Sequence, residues 1–222
     1  MTRLNVGVLI SGRGSNLQAL IDSAAHFEYP ARVALVVSNV PGAPGLARAE
    51  AAGIAHRTVD HRAFADRAAF EAEVTGALEA AGVELVCLAG FLRLLTDAFV
   101  AHWAGRIINI HPSLLPAFKG LHVHQRVIEA GVRISGCTVH FVVPEMDAGP
   151  IIAQAAVPVA MDDDADSLAA RVLAAEHRLY PMAVRMLAEG RARLVDGRVE
   201  IDEAGASASA LLNPTDGAGL LL

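Results

Sequence analysis

The chain has 222 residues and a formal net charge of −6, a size that fits one α/β domain with a sizeable core. The acidic balance argues against a general nucleic-acid binder, which would carry a basic face. Hydrophobic residues make up 54% of the sequence, but no apolar run is long enough to span a bilayer and no signal-peptide cleavage site follows the first one. We therefore expect a cytoplasmic protein.

The cysteines and the single lysine narrow the possible chemistry. Cys87 and Cys137 both lie in apolar runs that are typical of strands. We expect them to be core residues in a reducing compartment, without a disulfide framework or a metal cluster. Lys119 is the only lysine, so a mechanism that needs an amine side chain has one candidate.

The first half of the chain alternates short apolar runs with helical patterns. Such runs are typical of strands buried on both faces of a parallel sheet. Strands and helices that alternate at this spacing form right-handed βαβ units. The predicted strands cover 4–11, 32–39, 54–59, 83–90 and 106–111, and the predicted helices cover 16–25, 45–53, 67–81 and 97–102. We predict a doubly wound, mostly parallel α/β sheet.

The pattern changes in the second half. Two apolar runs, 136–143 and 149–159, are separated by only five residues. This gap is too short for a crossover helix, so the two strands are predicted to be antiparallel. The fold class is therefore a Rossmann-like variant, a mostly parallel sheet that ends in an antiparallel pair.

The C-terminal part is predicted to contain one long helix and a hairpin. The helix covers about 166–189, with Asp166 or Ser167 as its cap. An Asp-Gly pair between apolar residues then indicates a hairpin turn. Residues 1–202 are predicted to form a single domain. The stretch 203–222 is rich in small residues, has no amphipathic period, and is predicted to be a disordered tail.

The stretch "SGRGSN" follows the first strand and opens the first helix. Free backbone amides and the helix dipole make such a turn a good phosphate site. A dinucleotide fingerprint would need a third glycine where the chain has Leu17, and an acidic residue where the second strand ends in Ser-Asn. A single phosphate held by Gly14, Ser15 and Asn16 fits better than NAD. A purely structural strand-to-helix turn would use the same residue types, so the motif alone leaves both interpretations open.

The stretch "IINIHPSLLPAF" places Asn109 and His111 at the carboxyl end of the fifth strand, where ligands bind in open α/β folds. The Asn109 amide can donate a hydrogen bond to a carbonyl oxygen that becomes an oxyanion. The His111 imidazole can move a proton near neutral pH. Pro112 and Pro116 stiffen the loop that follows. The structural alternative is an asparagine turn at a strand end beside a surface histidine.

The stretch "PEMDAGPII" places Asp147 in the connection between the two antiparallel strands. If this loop folds over the edge of the sheet, the carboxylate could face His111, hold its tautomer and orient a water. Asp is also common in plain turns, and the spacing does not decide between the two. His140 is predicted to be a satisfied or edge histidine. His122 and His124 form a pair without a third ligand at metal-site spacing.

Five stretches follow one another between Leu4 and Val199: "LISGRGSNLQAL", "LAGFLRLL", "NIHPSLLPAF", "VHFVVPEMDAGPII" and "AAEHRLYP". Together they resemble the phosphoribosylglycinamide formyltransferases, folate-dependent enzymes of purine synthesis. The resemblance implies that 10-formyltetrahydrofolate is the co-substrate and that the amine of 5'-phosphoribosylglycinamide accepts the formyl group. It implies no metal ion, no nucleic-acid or membrane partner, and a monomer or homodimer.

The resemblance also implies a role for each matched residue. The catalytic trio would be Asn109, His111 and Asp147. The phosphoribosylglycinamide would contact Gly14, Ser15 and Asn16 through its phosphate, and Leu173, Ala174, Ala175 and Glu176 through its glycinamide end. The folate would contact Arg67, Leu92, Arg93, Leu94, Leu95, Asn109, Val143, Pro144, Glu145, Met146 and Asp147.

Three other classes of protein compete with this interpretation. A formyltetrahydrofolate deformylase would hydrolyse the same co-substrate with the same trio, and "LPAFKG" also occurs in that class. Deformylases usually carry an extra N-terminal domain, whereas the catalytic domain is expected to begin within the first residues here. A methionyl-tRNA formyltransferase would need a further C-terminal domain. A non-catalytic folate- or phosphate-binding module would not need Asn109, His111 and Asp147 together.

Overall fold

A computed structural model describes residues 3–202 together with Leu211 and Asn213. Seven strands form its central sheet: β1 Leu4–Ile10, β2 Ala31–Ser38, β3 His56–Thr58, β4 Leu85–Leu88, β5 Ile107–His111, β6 Ile134–Phe141 and β7 Ile151–Pro158. Their order across the sheet is β3-β2-β1-β4-β5-β6-β7. Strands β1 to β5 run parallel, and β6 is antiparallel to both of its neighbours. The predicted fold class, including the antiparallel pair β6–β7, is confirmed.

Helices connect and cover these strands. They are α1 Ser15–Ala24, α2 Pro44–Ala51, α3 Arg67–Ala80, α4 Asp97–His102, α5 Val123–Glu129 and α6 Ala165–Ala188, with a short 3-10 helix at His61–Ala63. A separate hairpin consists of β8 Ala192–Val195 and β9 Arg198–Ile201. The predicted cap of α6 was wrong in position: Asp164 is the N-cap, and it forms a capping box with Ser167. This reciprocal pair satisfies two backbone amides at the helix start.

The core lies on both faces of the sheet. On one face, β-strand residues pack against α1, α5 and α6, with Leu17, Val127 and Leu179 among the buried side chains. On the other face they pack against α3 and α4, where Phe70 and Trp103 are buried. Burying both faces explains why the parallel strands read as continuous apolar runs.

Helix α6 is tied to the middle of the sheet by a buried tyrosine. The Tyr180 hydroxyl lies 3.0 Å from the Leu88 carbonyl oxygen and 3.3 Å from that of Ile108. Leu88 is the last residue of β4 and pairs with Asn109 of β5, and Ile108 immediately precedes Asn109. The α6 helix is therefore held in a fixed position relative to the strand that carries Asn109 and His111.

The structure leaves some predictions untested. The proposed disordered tail, 203–222, lies outside the described residues except at Leu211 and Asn213, and the single-domain boundary at residue 202 stays a prediction. Within the described part of the chain, no helix is long and apolar enough to cross a membrane.

Candidate active site

Strand β5 carries the central pair of polar residues. Side chains at i and i+2 of a strand share one face, so Asn109 and His111 point to the same side as Ile107. The residues between them, Ile108 and Ile110, are buried in the core on the opposite face of the sheet. His111 is only 5% exposed. The alternation of polar and apolar residues in β5 therefore places an amide and an imidazole side by side on the α3/α4 face.

The loop after β6 brings Asp147 to this pair. One carboxylate oxygen of Asp147 lies 3.4 Å from His111 Nδ1 and accepts a 2.8 Å hydrogen bond from the Gly120 amide. Asp147 has a φ of 52°, a left-handed conformation that Asp tolerates better than most residues. On its other side, His111 Nε2 donates to the Phe118 carbonyl oxygen at 3.0 Å. Both ring nitrogens of His111 therefore face oxygen acceptors.

His140 completes the cluster, and the sequence analysis had given it no role. It pairs with Asn109 across the antiparallel β5–β6 ladder. Its Nδ1 lies 2.8 Å from the Phe141 carbonyl oxygen and its Nε2 lies 3.3 Å from the Asn109 amide nitrogen. A carbonyl only accepts, so Nδ1 carries the ring proton and Nε2 accepts from Asn109. Burial lowers the pKa of His140 below its usual range, although the Phe141 carbonyl and Asp147 raise it in part.

The predicted phosphate turn and the predicted glycinamide segment also meet. The Asn16 side-chain nitrogen donates to Glu176 Oε2 at 2.7 Å, and both residues are buried. Burial raises the pKa of Glu176 above its usual range, while the Asn16 hydrogen bond opposes this shift. Leu173, Ala174 and Ala175 lie in the same stretch of α6, just before Glu176.

At the start of α1 the backbone is arranged as the phosphate interpretation requires. Gly14 is the N-cap with a φ of 68°, a conformation that glycine adopts without strain. Among the residues that the structure describes, no side chain caps this helix start. The amides of Ser15 and Asn16 thus lie in the first turn, where a helix has no internal partners for its N–H groups.

The first predicted folate segment follows β4. Leu92 and Leu94 are 76% and 62% exposed, unusually high for leucines beside a buried cluster. The Arg93 guanidinium lies 5.6 Å from the Phe70 ring on α3. The segment is anchored at both ends, since the Leu92 amide donates to Ser11 Oγ at 2.9 Å and the Thr96 amide and hydroxyl donate to the buried Glu71 carboxylate. Arg67, the first residue of α3, starts the helix that this segment packs against.

The second predicted folate segment is the loop that ends at Asp147. Val143 is half-buried, and Pro144, Glu145 and Met146 are exposed. Lys119 Nζ donates to Glu145 Oε1 at 3.1 Å, so the only lysine of the chain pairs with this loop. Val142, just before it, packs against the same core cluster as Phe91 and Leu95. Both folate segments therefore border the sheet face that carries Asn109 and His111.

The described residues offer little for metal or thiol chemistry. No three His, Cys, Asp or Glu side chains of the described ranges are grouped so as to hold a metal ion. Cys87 and Cys137 are buried, and burial raises the pKa of each thiol to about 12. Both thiols are therefore protonated near neutral pH.

Comparison with known proteins agrees with this geometry. The model of the formyl transferase family matches residues 4–184. Phosphoribosylglycinamide formyltransferase of Escherichia coli is 45% identical over 90% of this chain and 94% of its own length. A trifunctional purine biosynthetic protein of Gallus gallus is 50% identical over 91% of this chain, but the match spans only 20% of that protein. The chain thus covers 14–20% of the length of the trifunctional relatives and nearly all of the bacterial one.

Solved structures of high similarity also include formyltransferases. Glycinamide ribonucleotide transformylase 1 from Symbiobacterium toebii has a TM-score of 0.87 and 49% identity, and the match covers 90% of this chain and 94% of that one. Formyltetrahydrofolate deformylase from Burkholderia mallei has a TM-score of 0.83 but 30% identity, over 91% of this chain and 71% of that one. This chain belongs to the formyl transferase family and, within it, to the phosphoribosylglycinamide formyltransferases.

Proposed function

We propose that the protein transfers the formyl group of 10-formyltetrahydrofolate to the amine of 5'-phosphoribosylglycinamide. The products are the N-formyl compound and tetrahydrofolate, and the step belongs to de novo purine (IMP) biosynthesis. One observation supports this function most strongly: the Asp147 carboxylate lies 3.4 Å from the His111 ring. His111 and Asn109 are on the same strand, β5. An electrostatic donor, a proton carrier and a carboxylate are the groups that acyl transfer to an amine requires.

In the proposed reaction, the amine nitrogen attacks the formyl carbon and the formyl oxygen becomes an oxyanion. Asn109 and His111 Nε2 donate hydrogen bonds to this oxygen, which stabilises the tetrahedral intermediate. In the present structure His111 Nε2 already donates to a carbonyl oxygen, that of Phe118, so the formyl oxygen would take over this hydrogen bond. The His111 ring is thus oriented to donate from Nε2 before substrate enters.

Collapse of the intermediate needs a proton to move between the two nitrogens. The new C–N bond leaves the attacking nitrogen with an extra proton, and N10 must gain one as its bond to carbon breaks. Asp147, through a water that it orients, accepts the proton from the amine. His111 supplies a proton to N10 and is recharged by the same relay. The overall step consumes no proton and forms no covalent enzyme intermediate.

The two substrates are proposed to bind in separate parts of the site, one for phosphoribosylglycinamide and one for the folate. The phosphate is proposed to bind Gly14, Ser15 and Asn16, with Glu176 at the glycinamide end. The exposed leucines of 92–95 offer an apolar surface for the pterin, which fits the usual lining of small-molecule pockets. The loop 143–147 is proposed to close the other side of the folate cleft. The cytoplasmic location and the choice between monomer and homodimer stay predictions.

The function is tested by mixing the purified protein with 10-formyltetrahydrofolate, with and without phosphoribosylglycinamide. Absorbance reports the released folate and mass spectrometry reports the formylated amine. We expect folate release only when the amine is present, with one formylated product per folate. Binding of folate without any release would reject catalysis in favour of a binding module.

The deformylase alternative is supported by the 30% identity to the enzyme from Burkholderia mallei. It predicts formate and folate release at the same rate with and without the amine. We favour the transferase because the match to a transformylase has 49% identity against 30%, and it covers 94% of that structure against 71% of the deformylase. Amine-independent release of formate would reverse this preference.

A further inference from the structure

Helix α2 donates hydrogen bonds to two consecutive carbonyl groups of the phosphate turn. The Gly45 amide donates to the Gly12 carbonyl oxygen at 3.0 Å. One turn further along α2, Arg48 Nε donates to the Arg13 carbonyl oxygen at 2.9 Å. The same guanidinium also reaches α1, where its Nη1 donates to Gln18 Oε1 at 3.1 Å. Arg48 therefore bridges the turn before Gly14 and the first turn of the helix after it.

The contact between α2 and the turn is close. A Cβ atom added to Gly14 would lie 2.8 Å from the Gly45 Cα atom, which is nearer than real Cβ contacts allow. A Cβ atom added to Gly45 would lie 2.5 Å from Ile10 Cδ1. The two glycines thus let α2 approach near enough for the Arg48 guanidinium to hold the backbone.

Holding a carbonyl oxygen also fixes the amide next to it. The peptide unit is planar and trans, so its N–H points opposite to its C=O. Because Arg48 binds the Arg13 oxygen on the α2 side, the Gly14 N–H must point away from α2. The Ser15 and Asn16 amides follow it in the first turn of α1, and successive N–H groups aimed into one concavity form an anion site.

Arg48 also supplies positive charge close to the turn. In the α6 segment near the turn, Leu173, Ala174 and Ala175 have no polar side-chain atoms and Glu176 is an acid. The pKa of His177, the next residue, is lowered mainly by burial and in smaller part by the positive charge of Arg48. A phosphate at the turn would therefore lie near one fixed guanidinium.

We propose that Arg48 is a positioning residue for the substrate phosphate: its two-point hold on Arg13 and Gln18 keeps the Gly14 amide aimed at that phosphate. The proposal rests on the proposed function for the identity of the substrate. It assigns Arg48 no contact with the reacting atoms. Loss of the hold should therefore raise KM for the phosphorylated amine without changing kcat.

The test compares Arg48→Ala with the unaltered protein on two amines, phosphoribosylglycinamide and its dephosphorylated riboside. For the phosphorylated amine we expect KM to rise about tenfold or more, as for the loss of a charged hydrogen bond, with kcat and the folate KM unchanged. For the riboside, kcat/KM should be the same in both proteins. An equal loss with both amines, or no loss with either, would overturn the proposal.

Two further variants separate geometry from charge. Arg48→Lys keeps the charge, but one ammonium group cannot hold Arg13 and Gln18 with the fork of a guanidinium. We expect it to behave like Arg48→Ala, and a normal KM in this variant would contradict the two-point hold. Arg32→Ala is the matched control, because Arg32 is exposed at the amino end of β2, whereas the phosphate turn follows the carboxyl end of β1, and its loss changes net charge equally. Its KM values should be those of the unaltered protein.

Direct binding makes the result independent of catalysis. Titration calorimetry with ribose 5-phosphate should give a Kd that is about tenfold weaker for Arg48→Ala than for the unaltered protein. If formyl transfer is absent but this difference is present, the proposed function fails and the role of Arg48 stands. If the unaltered protein transfers formyl groups but the two Kd values are equal, the role of Arg48 fails alone.

Discussion

The polar side chains at the end of β5 depend on one another for orientation. The Asn109 amide nitrogen has two hydrogens, and one of them is bound by His140 Nε2 at 3.3 Å. The second hydrogen is then directed by the planar amide and is available to a substrate oxygen. This arrangement requires a neutral His140, because a protonated ring could not accept from Asn109. Burial of His140, which lowers its pKa, therefore contributes to the orientation of the proposed oxyanion donor.

Asp147→Asn tests the carboxylate of the proposed trio. The amide is nearly isosteric and can still accept the 2.8 Å hydrogen bond from Gly120, so the fold should be retained. It cannot act as a base or stabilise a protonated His111, and we predict that kcat falls by about two to four orders of magnitude. Steady-state kinetics and the thermal midpoint together check this. Turnover near that of the unaltered protein would remove Asp147 from the mechanism.

His140→Phe tests the positioning role of His140. Phenylalanine fills the buried site but offers Asn109 no acceptor, so the amide loses its fixed orientation. We predict that kcat falls about tenfold, the effect of one misplaced donor, while both KM values change little. His102→Phe is the matched control, since His102 is an exposed residue of α4 that pairs with Glu79. An unchanged kcat in His140→Phe would show that Asn109 does not depend on His140.

The sequence indicated some of these residues and missed others for a physical reason. Asn109 and His111 are recognisable because each interrupts an apolar strand near its carboxyl end. Asp147 fits a plain turn equally well, and only the family resemblance assigned it a role. His140 does not interrupt its strand's alternation, and only the antiparallel pairing of β5 with β6 gives it a partner. Arg48 is one arginine among many on helix surfaces. Its role depends on the close approach of α2 to the turn, which no local pattern records.

At the level of elements, the β6–β7 connection determines where Asp147 lies. The sequence predicted this pair to be antiparallel because the gap was short, and that argument is geometric and general. The pairing of β6 with β5 could not be predicted in the same way, because residues 112–133 separate them without fixing a direction. The short 3-10 helix at His61–Ala63 was missed, since one turn gives too few residues for a periodic pattern.

Gly149→Ala tests this connection. A Cβ atom there would lie 1.8 Å from the Phe141 carbonyl oxygen, so the start of β7 must move away from β6. We predict that the thermal midpoint falls and that kcat falls with it, because the same movement displaces the loop that carries Asp147. Thermal unfolding and kinetics are measured on the same preparation.

Gly76→Ala is the control for this prediction. Gly76 lies inside α3, and a Cβ atom there would contact no other group within 4 Å. We expect stability to rise by about 0.5–1 kcal/mol, as for Gly→Ala in a helix interior, with kcat unchanged. If Gly149→Ala proves as harmless as Gly76→Ala, the loop is not positioned by the β6–β7 contact.

Across the whole molecule, burial shifts the pKa values of several titratable side chains. Burial is the largest cause of a lowered pKa at His124, His140 and His177. Glu176 shows the opposite response, a carboxyl group whose pKa is raised by burial. Burial thus favours the neutral forms of His140 and Glu176, two groups of the described site. Shifted pKa values of this kind, which cost folding stability, are typical of functional clefts.

These shifts predict that the protein loses stability as pH falls from 7 to 5. A histidine with a lowered folded-state pKa stabilises the fold fully above its unfolded pKa near 6.5. That stability is lost as pH falls toward the folded pKa, because the unfolded chain binds the proton first. Each such proton contributes a slope of about 1.4 kcal/mol per pH unit. Glu176 opposes this trend, since its contribution is present at low pH and is lost as pH rises through its folded pKa.

Chemical denaturation at pH 7, 6 and 5 measures the net effect. With three histidines against one carboxyl group, we expect the free energy of unfolding to fall at each step. His140→Phe removes one of the buried imidazoles, so its curve should be shallower than that of the unaltered protein. A free energy of unfolding that is constant or rises toward pH 5 would contradict this account of the buried histidines.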